Sequence, residues 1–269
     1  MKTHYKISVV IPGYNEEANI EATIGRCVAA LEQLTDRYEV IIVNDCSTDS
    51  TAAIAERLAR ENPSIRVIHN PINMHVGISV LIGLKAATGD VVVHNSMDYP
   101  FHLEDMPKAL ELFPDADVVI ISRENRAAHS LWRKITSLTH YYMVRTLFWV
   151  PFTDMNFVQV YRREVLQRIP VKAKSPAFVT PELLIRSLRA GFRIKEVKAV
   201  FHRRDKGTAS YGKPRDILWT LSDMISFWLE PRKSHRSVAP LPVSSDKPAP
   251  VLKDAPATAP AHESELIRK

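Results

Sequence analysis

Between Ile7 and Ile121 the apolar residues fall into two patterns that take turns. Short β-branched runs at Ile7 to Ile11, Glu39 to Val43, Ile65 to His69, Asp90 to His94 and Asp117 to Ile121 are bounded by turn residues. They lack strict in/out alternation, which suits strands of a parallel sheet covered on both faces. Between them, Glu17 to Leu34, Ser50 to Glu61, Gly77 to Ala87 and Leu103 to Leu112 carry apolar residues at helical spacing, with Asp49 or Ser50 available to cap the second. The order β-α-β-α-β-α-β-α-β predicts a doubly wound, mostly parallel α/β sheet. Ligands of such sheets sit beyond the carboxyl ends of the strands, so the residues after each strand are where chemistry is expected.

Further along, Leu131 to Trp149 is rich in aromatics. Leu131, Ile135, Leu138 and Tyr142 make one helical stripe, with Arg133, Lys134 and Arg145 off it. A core-packing helix and an interfacial helix lying on anionic lipid both explain the stripe. The nearly all-round apolar character from Tyr141 to Phe152 favours the second. Asp216 to Leu229 is also amphipathic, with Ile217, Leu221, Met224, Ile225 and Trp228 on one side and acids but no lysine opposite. It predicts packing on the domain or a face for a homodimer. From Pro231 to Lys269, Pro, Ala, Ser and Lys dominate without periodicity, a composition that cannot offset its ordering entropy. The 269 residues thus divide into one folded domain over 1–230 and a disordered Pro/Ala-rich tail over 231–269.

Composition narrows the function classes. A net charge of +6 favours anionic partners, but no basic stripe interleaved with aromatics recurs, which argues against nucleic acid. Cys27 and Cys46 form neither a disulfide framework nor a zinc-spaced cluster, so a reducing compartment is expected. The first apolar run is too short for a signal peptide, and no run reaches the roughly 18 apolar residues of a spanning helix. These features predict a cytoplasmic protein. Gly-x-Gly-x-x-Gly and Gly-x-x-x-x-Gly-Lys-Ser/Thr are absent, so neither a dinucleotide dehydrogenase nor a P-loop ATPase is supported.

The strand ends hold the candidate chemistry. After the first come Pro12, Gly13, Tyr14, Asn15, Glu16 and Glu17; Tyr14 offers a face to a base and Glu16 an acceptor, while an acidic first helical turn explains the same acids. After the second, Asn44-Asp45-Cys46-Ser47-Thr48-Asp49-Ser50-Thr51 clusters small oxygen-bearing residues. Capping accounts for Asp49 or Ser50 but not for Asn44 and Asp45. After the fourth, Asp98 is a single carboxylate of the kind that holds a divalent cation bridging two phosphates, or a turn residue before Pro100.

Together these segments resemble the inverting glycosyltransferases of family 2, with the GT-A fold. The matching stretches are SVVIPGYNEE at 8 to 17, EVIIVNDCSTDST at 39 to 51, Gly77 with its helix, Ala87-Thr88-Gly89-Asp90, and Asp98. Within the family the dolichyl- or polyprenyl-phosphate mannosyl- and glucosyltransferases are most similar, through Ser122-Arg123, the Tyr-Arg-Arg-Glu-Val run at 161 to 165, and Glu196-Val197 followed by Arg204-Asp205-Lys206-Gly207. The resemblance implies a nucleotide diphosphate sugar donor at Pro12, Tyr14, Glu16, Val43 and Asp45, with Ser96 and Met97 in the donor loop. It also implies Mg²⁺ or Mn²⁺ at Asp98, and Arg123 and Arg204 facing the anionic groups. Three departures stand out: Ser96 replaces the first Asp of Asp-x-Asp, Asn44 replaces the first Asp of an Asp-Asp pair, and Pro100 replaces a Gln.

An inverting displacement must stabilise the departing diphosphate, and positioned cations do this best. A hydroxyl acceptor needs a base as well; a lipid monophosphate does not. The candidate base region, Phe178 to Glu182, has Glu182 as its single carboxylate, which a helix N-terminal acid explains equally. A phosphate acceptor, met by Arg204, Lys206 and Lys213, therefore requires fewer absent parts. These expectations add up to hexose transfer, mannose or glucose, onto a polyprenyl phosphate by a peripheral enzyme at the cytoplasmic membrane face, with or without a membrane-protein partner. A hydroxyl-using transferase and a catalytically impaired nucleotide-sugar binder are the alternatives.

Overall fold

A computed structural model describes residues 2–124, 131–200 and 214–230, the side chains of 131–137 and 214 excepted. Five strands lie where the apolar runs predict them: β1 (Ile7–Gly13), β2 (Tyr38–Asn44), β3 (Ile65–His69), β4 (Val91–His94) and β5 (Val118–Arg123). Two more follow, β6 (Val158–Arg162) and β7 (Ile194–Ala199). The sheet order is β3-β2-β1-β4-β6-β5-β7. All neighbours are parallel except β6, which runs antiparallel to both β4 and β5 and separates them. The mostly parallel α/β sheet predicted from the sequence is thus observed, with one inserted strand.

Helices cover both faces: α1 (Ile20–Leu34), α2 (Thr51–Glu61), α3 (His75–Ala86), α4 (Met106–Leu110), α5 (Leu131–Phe148), α6 (Arg163–Arg168), α7 (Val179–Arg189) and α8 (Pro214–Trp228). Ile7, Val9 and Ile11 of β1 enter the core beneath α1, whereas Val10 enters the opposite core with Ile41, Val43 and Val92. Both sides of β1, β2, β4 and β5 are therefore buried, which is why these strands read as unbroken apolar runs, whereas β3 keeps Arg66 and His69 exposed. On the second face α3 lies so close that a Cβ on Gly83 would stand 2.2 Å from Val10 Cγ1. Only hydrogen fits there.

Helix boundaries shift for local reasons. The Glu16 carbonyl accepts from Asn19 and Ile20 N–H, so α1 begins at Ile20 and not at Glu17. The predicted helix from Leu103 to Leu112 is a 3-10 turn, Leu103–Asp105, followed by the five-residue α4. Phe113 precedes Pro114, a position that disfavours helix, and Leu112 and Phe113 N–H bond three residues back. Ser50 occupies the N-cap of α2 without a side-chain bond; Asp49 Oδ1 accepts from Thr51 N–H instead, at 3.0 Å.

At the amino ends of the strands Glu39 is buried and acts as a clasp. Its Oε1 accepts from Ser8 Oγ at 2.6 Å and from Thr88 N–H at 2.6 Å, and its Oε2 from Arg66 Nε at 3.1 Å. Gly89 N–H donates to Ser8 Oγ at 2.8 Å. The Ala87-Thr88-Gly89-Asp90 stretch therefore joins β4 to β1 and β2 at the end of the sheet away from the ligand side.

The C-terminal helices pack through aromatics. Phe148 of α5, Phe178 before α7 and Phe227 of α8 stack with ring centroids 5.2–5.7 Å apart. The buried side of α8 is Thr220, Met224 and Phe227, so the stripe foreseen in the sequence straddles two faces: Met224 is buried, while Ile225 and Trp228 join Leu218 and Leu229 in solvent. On α5, Val144 and Phe148 are buried and Tyr142 is exposed, followed by Trp149 at 86% exposure. No helix among the described residues is long and apolar enough to cross a membrane.

Candidate active site

Beyond the carboxyl ends of β1, β2 and β4 lies a cleft of about 500 Å³. Pro12, Tyr14, Glu16 and Asp45 line one side, and Ser96, Met97 and Asp98 the other. The loops holding them are tied to each other. Asn15, at φ 54°, donates its N–H to Ser47 Oγ at 3.1 Å, and its Oδ1 accepts from Thr48 N–H at 2.8 Å. Glu16 N–H donates to Thr51 Oγ1 at 2.8 Å. The small oxygen-bearing residues after β2 thus fix the loop after β1, which leaves Tyr14 exposed and Glu16 at the cleft wall.

Asn44 caps its own turn by accepting from Ser47 N–H and pairs with His69. Asp45 is buried; its Oδ1 accepts from Asn70 Nδ2 and Met74 N–H, both at 2.8 Å. Its Oδ2 has no partner among the described residues. Ser96 Oγ–H donates to Asp98 Oδ1. Met97 is 2% exposed, with its thioether tip under Gly13, where a Cβ would lie 2.9 Å from Met97 Cε. It forms the floor beneath the first loop.

Several expected site residues have other work. Val43 is fully buried, and its side chain packs on α3 beside Gly83; it belongs to the core. Arg123 is not an open cation for phosphate: its Nε and Nη2 grip both oxygens of buried Asp154 at 2.6 and 3.1 Å. Glu182, expected on the acceptor side, lines neither the cleft nor the smaller pocket behind it. It is 1% exposed, its Oε1 accepts from Arg186 Nε at 2.6 Å, and its Oε2 from Lys172 N–H at 3.0 Å. Arg186 also pairs with Glu230. The carboxylate closes a buried network between α7, the segment before it and the end of α8. Arg204, Lys206 and Lys213 lie outside the described residues.

The first two turns of α8 supply cleft residues that the sequence did not point to: Arg215, Asp216 and Trp219. Trp219 meets His75 edge to face at 5.3 Å between centroids. Asp223, further along α8, accepts from Lys174 N–H and Ser175 N–H at 2.8 and 2.7 Å, holding the loop that brings Pro176 to the cleft. Four carboxylates, Glu16, Asp45, Asp98 and Asp216, face one guanidinium, Arg215, among the lining residues. Behind the cleft, and sharing Pro12, Val76, Ser96 and Pro176 with it, is a smaller pocket of about 200 Å³ bounded by His94, Asn156 and Thr180. Burial holds His94 down to about 4, against a hydrogen bond to the main chain of Phe157.

No group of three or more potential metal ligands occurs among the described residues. Asp98 stands as a single carboxylate, which suits a divalent ion that takes its remaining oxygens from a bound diphosphate.

Residues 8–169 match the family described as Glycosyl transferase family 2. A dodecaprenyl-phosphate galacturonate synthase of Rhizobium johnstonii is 25% identical over 237 residues, covering 86% of this chain and 70% of that one. An undecaprenyl-phosphate 4-deoxy-4-formamido-L-arabinose transferase of Pectobacterium carotovorum subsp. carotovorum is 30% identical over 209 residues, 76% of this chain and 62% of its own length. The chain thus spans less than two thirds of the latter. Among solved structures, glucosyl-3-phosphoglycerate synthase from Mycobacterium tuberculosis, in complex with Mn²⁺, uridine diphosphate and phosphoglyceric acid, superposes with a TM-score of 0.62 at 23% identity, covering 85% of this chain and 80% of that one. That likeness speaks to the fold. With a family match over more than half its length and the strand order described above, the chain belongs to glycosyl transferase family 2 and has the GT-A fold.

Proposed function

We propose that this chain transfers a sugar, a hexose such as mannose or glucose, from a nucleoside diphosphate donor to a polyprenyl phosphate. The observation that carries the acceptor class is the burial of Glu182. Locked to Arg186, it is not free to act as the base that a hydroxyl acceptor needs. A phosphate monoester needs none. The names of the relatives above, transferases acting on dodecaprenyl and undecaprenyl phosphates, support the same reading.

In this reading the nucleoside lies along Tyr14, with Glu16 and Asp45 accepting from it. The acceptor phosphate oxygen attacks the anomeric carbon, and the carbon–oxygen bond to the diphosphate breaks with inversion, its electron pair leaving on the nucleoside diphosphate. The described cleft residues, four carboxylates and one guanidinium, repel a diphosphate, so further counter-charge is required. A Mg²⁺ or Mn²⁺ ion at Asp98 would supply that charge, joined by Arg215 and, on the resemblance, Arg204, Lys206 and Lys213. Exposed Tyr142, Trp149, Leu218 and Trp228 support a peripheral position on a membrane, and the unpaired thiols of Cys27 and Cys46 a reducing, cytoplasmic face.

The test is transfer of labelled sugar from a panel of uridine and guanosine diphosphate sugars, with Mn²⁺, to undecaprenyl phosphate in detergent. Labelled lipid is expected with one donor, and none with undecaprenol, which lacks the phosphate. Equal transfer to undecaprenol, or none to either acceptor, overturns the proposal. Donor binding without turnover would identify the nucleotide-sugar binder, the reading that the replacement of one carboxylate by Ser96 favours.

A further inference from the structure

His94 ends β4 with its side chain on the sheet face that α3 and α7 cover, and it lines the smaller pocket. It is 8% exposed, and its Nδ1 is buried without a hydrogen-bond partner. The main chain of Phe157 lies beside the ring. Two further buried polar atoms without partners belong to the same region. Gln159 Oε1 stands on β6, one residue beyond the last β4–β6 pair, Val93 with Val160, as His94 does on β4. Ser175 Oγ precedes Pro176, a pocket residue, and the Ser175 carbonyl packs against Gly77. Folded proteins leave few buried polar atoms unpaired, and those that remain call for a ligand or a water.

The pocket has a second property. None of the described residues lining it is Asp, Glu, Lys or Arg. Val76, Val80, Phe157 and Val158 give it apolar walls, of the kind that receive the C–H faces of a sugar ring while a few polar groups orient its hydroxyls. A ligand carboxylate entering here would be stripped of water with no counter-charge among those residues, which is strongly unfavourable. Burial also disfavours the protonated imidazole, so the ring offers neither a cation to a carboxylate nor a strong base to a hydroxyl.

We propose that this pocket receives the donor sugar as an uncharged, hydroxyl-bearing ring and excludes uronates, with the His94 imidazole hydrogen-bonding a sugar hydroxyl as a specificity-determining contact. The proposal rests on the donor-binding reading of the cleft but not on catalysis or on the acceptor. It separates this chain from the galacturonate synthase it is similar to, whose product bears a carboxylate.

Calorimetry with the full chain tests it without turnover. The probes, with Mn²⁺, are UDP, UDP-glucose and UDP-glucuronate, and GDP, GDP-mannose and GDP-mannuronate. The neutral sugar nucleotide on the preferred base is expected to bind at least about tenfold more tightly than its uronate counterpart. His94→Leu is expected to weaken the neutral sugar nucleotide by about tenfold while leaving the sugar-free diphosphate unchanged, and His94→Gln, which keeps a hydrogen-bonding side chain, to restore most of the loss. Uronate binding as tight as that of the neutral sugar overturns the proposal on the unmodified chain, whether or not the variants fold. So does an equal loss of diphosphate and sugar nucleotide in a folded His94→Leu. Failure of all six probes to bind overturns the donor reading itself and this inference with it, an outcome distinct from binding with the wrong sugar preference.

Discussion

Glu39→Gln removes one charge from a clasp that touches no cleft residue, so its effect isolates what the clasp contributes to folding. Burial alone would raise the carboxyl, but the hydrogen bonds from Ser8 and Thr88 and the charge of Arg66 hold it from the ordinary 4.5 down to about 2. At about 1.36 kcal/mol for each pH unit, that preference for the ionised form amounts to about 3 kcal/mol, a large share of the roughly 5–15 kcal/mol that holds a domain folded. The folded value lies below the unfolded one. The contribution is therefore complete above about pH 5 and is lost as pH falls towards 2, with about half gone by pH 3.5. Urea unfolding of the unmodified chain and the Gln variant from pH 7 to pH 3.5 measures it. The gap between them should be about 3 kcal/mol at pH 7 and should narrow to about half at pH 3.5. A gap under about 0.5 kcal/mol at pH 7, the scale of an ordinary surface change, or a gap that does not vary with pH, would refute the clasp.

Two other substitutions probe the site. Ser96→Asp places a second carboxylate two residues before Asp98 and should tighten Mn²⁺ by about tenfold in the presence of a nucleoside diphosphate, read by calorimetry; unchanged affinity would mean that position 96 does not face the ion. Glu182→Gln should destabilise the fold by about 2–4 kcal/mol in chemical denaturation, because Arg186 loses a buried partner. The transfer rate per folded molecule should stay the same, and its abolition in well-folded protein would return Glu182 to the role of base.

β1, β2, β4 and β5 were legible because each buries both faces and so leaves an apolar run that needs no partner to be recognised. β6 was not, because Gln159 and Arg162 break up its apolar residues within a span of only five. Nothing local states that such a segment inserts between β4 and β5. The first two cleft loops were legible through Pro12, Tyr14, Glu16 and Asp45, which stand directly after strands and line the cleft. Arg215 and Trp219 were not: they reach the cleft from a helix far along the chain, and a helical wheel ranks Trp219 only against its own neighbours. Arg123 was misjudged for a related reason. A basic residue at a strand end looks available until the fold delivers Asp154 to it. Glu182 and Arg186, four apart on α7, are a pair that helical spacing alone suggests; their burial was not readable.

The helix α8 is at once a wall of the cleft, through Arg215 and Trp219, the anchor of the Pro176 loop, through Asp223, and an outer surface on which Leu218, Ile225 and Trp228 are more than half exposed. One rigid rod thus reports on two environments. Whatever covers its outer side and so favours this placement of the helix must tighten binding in the cleft by the same factor by which a ligand bound there favours the covering. Affinity in the cleft and coverage of the outer side would then be two readings of a single equilibrium, and an assay with the outer side bare samples only one of them.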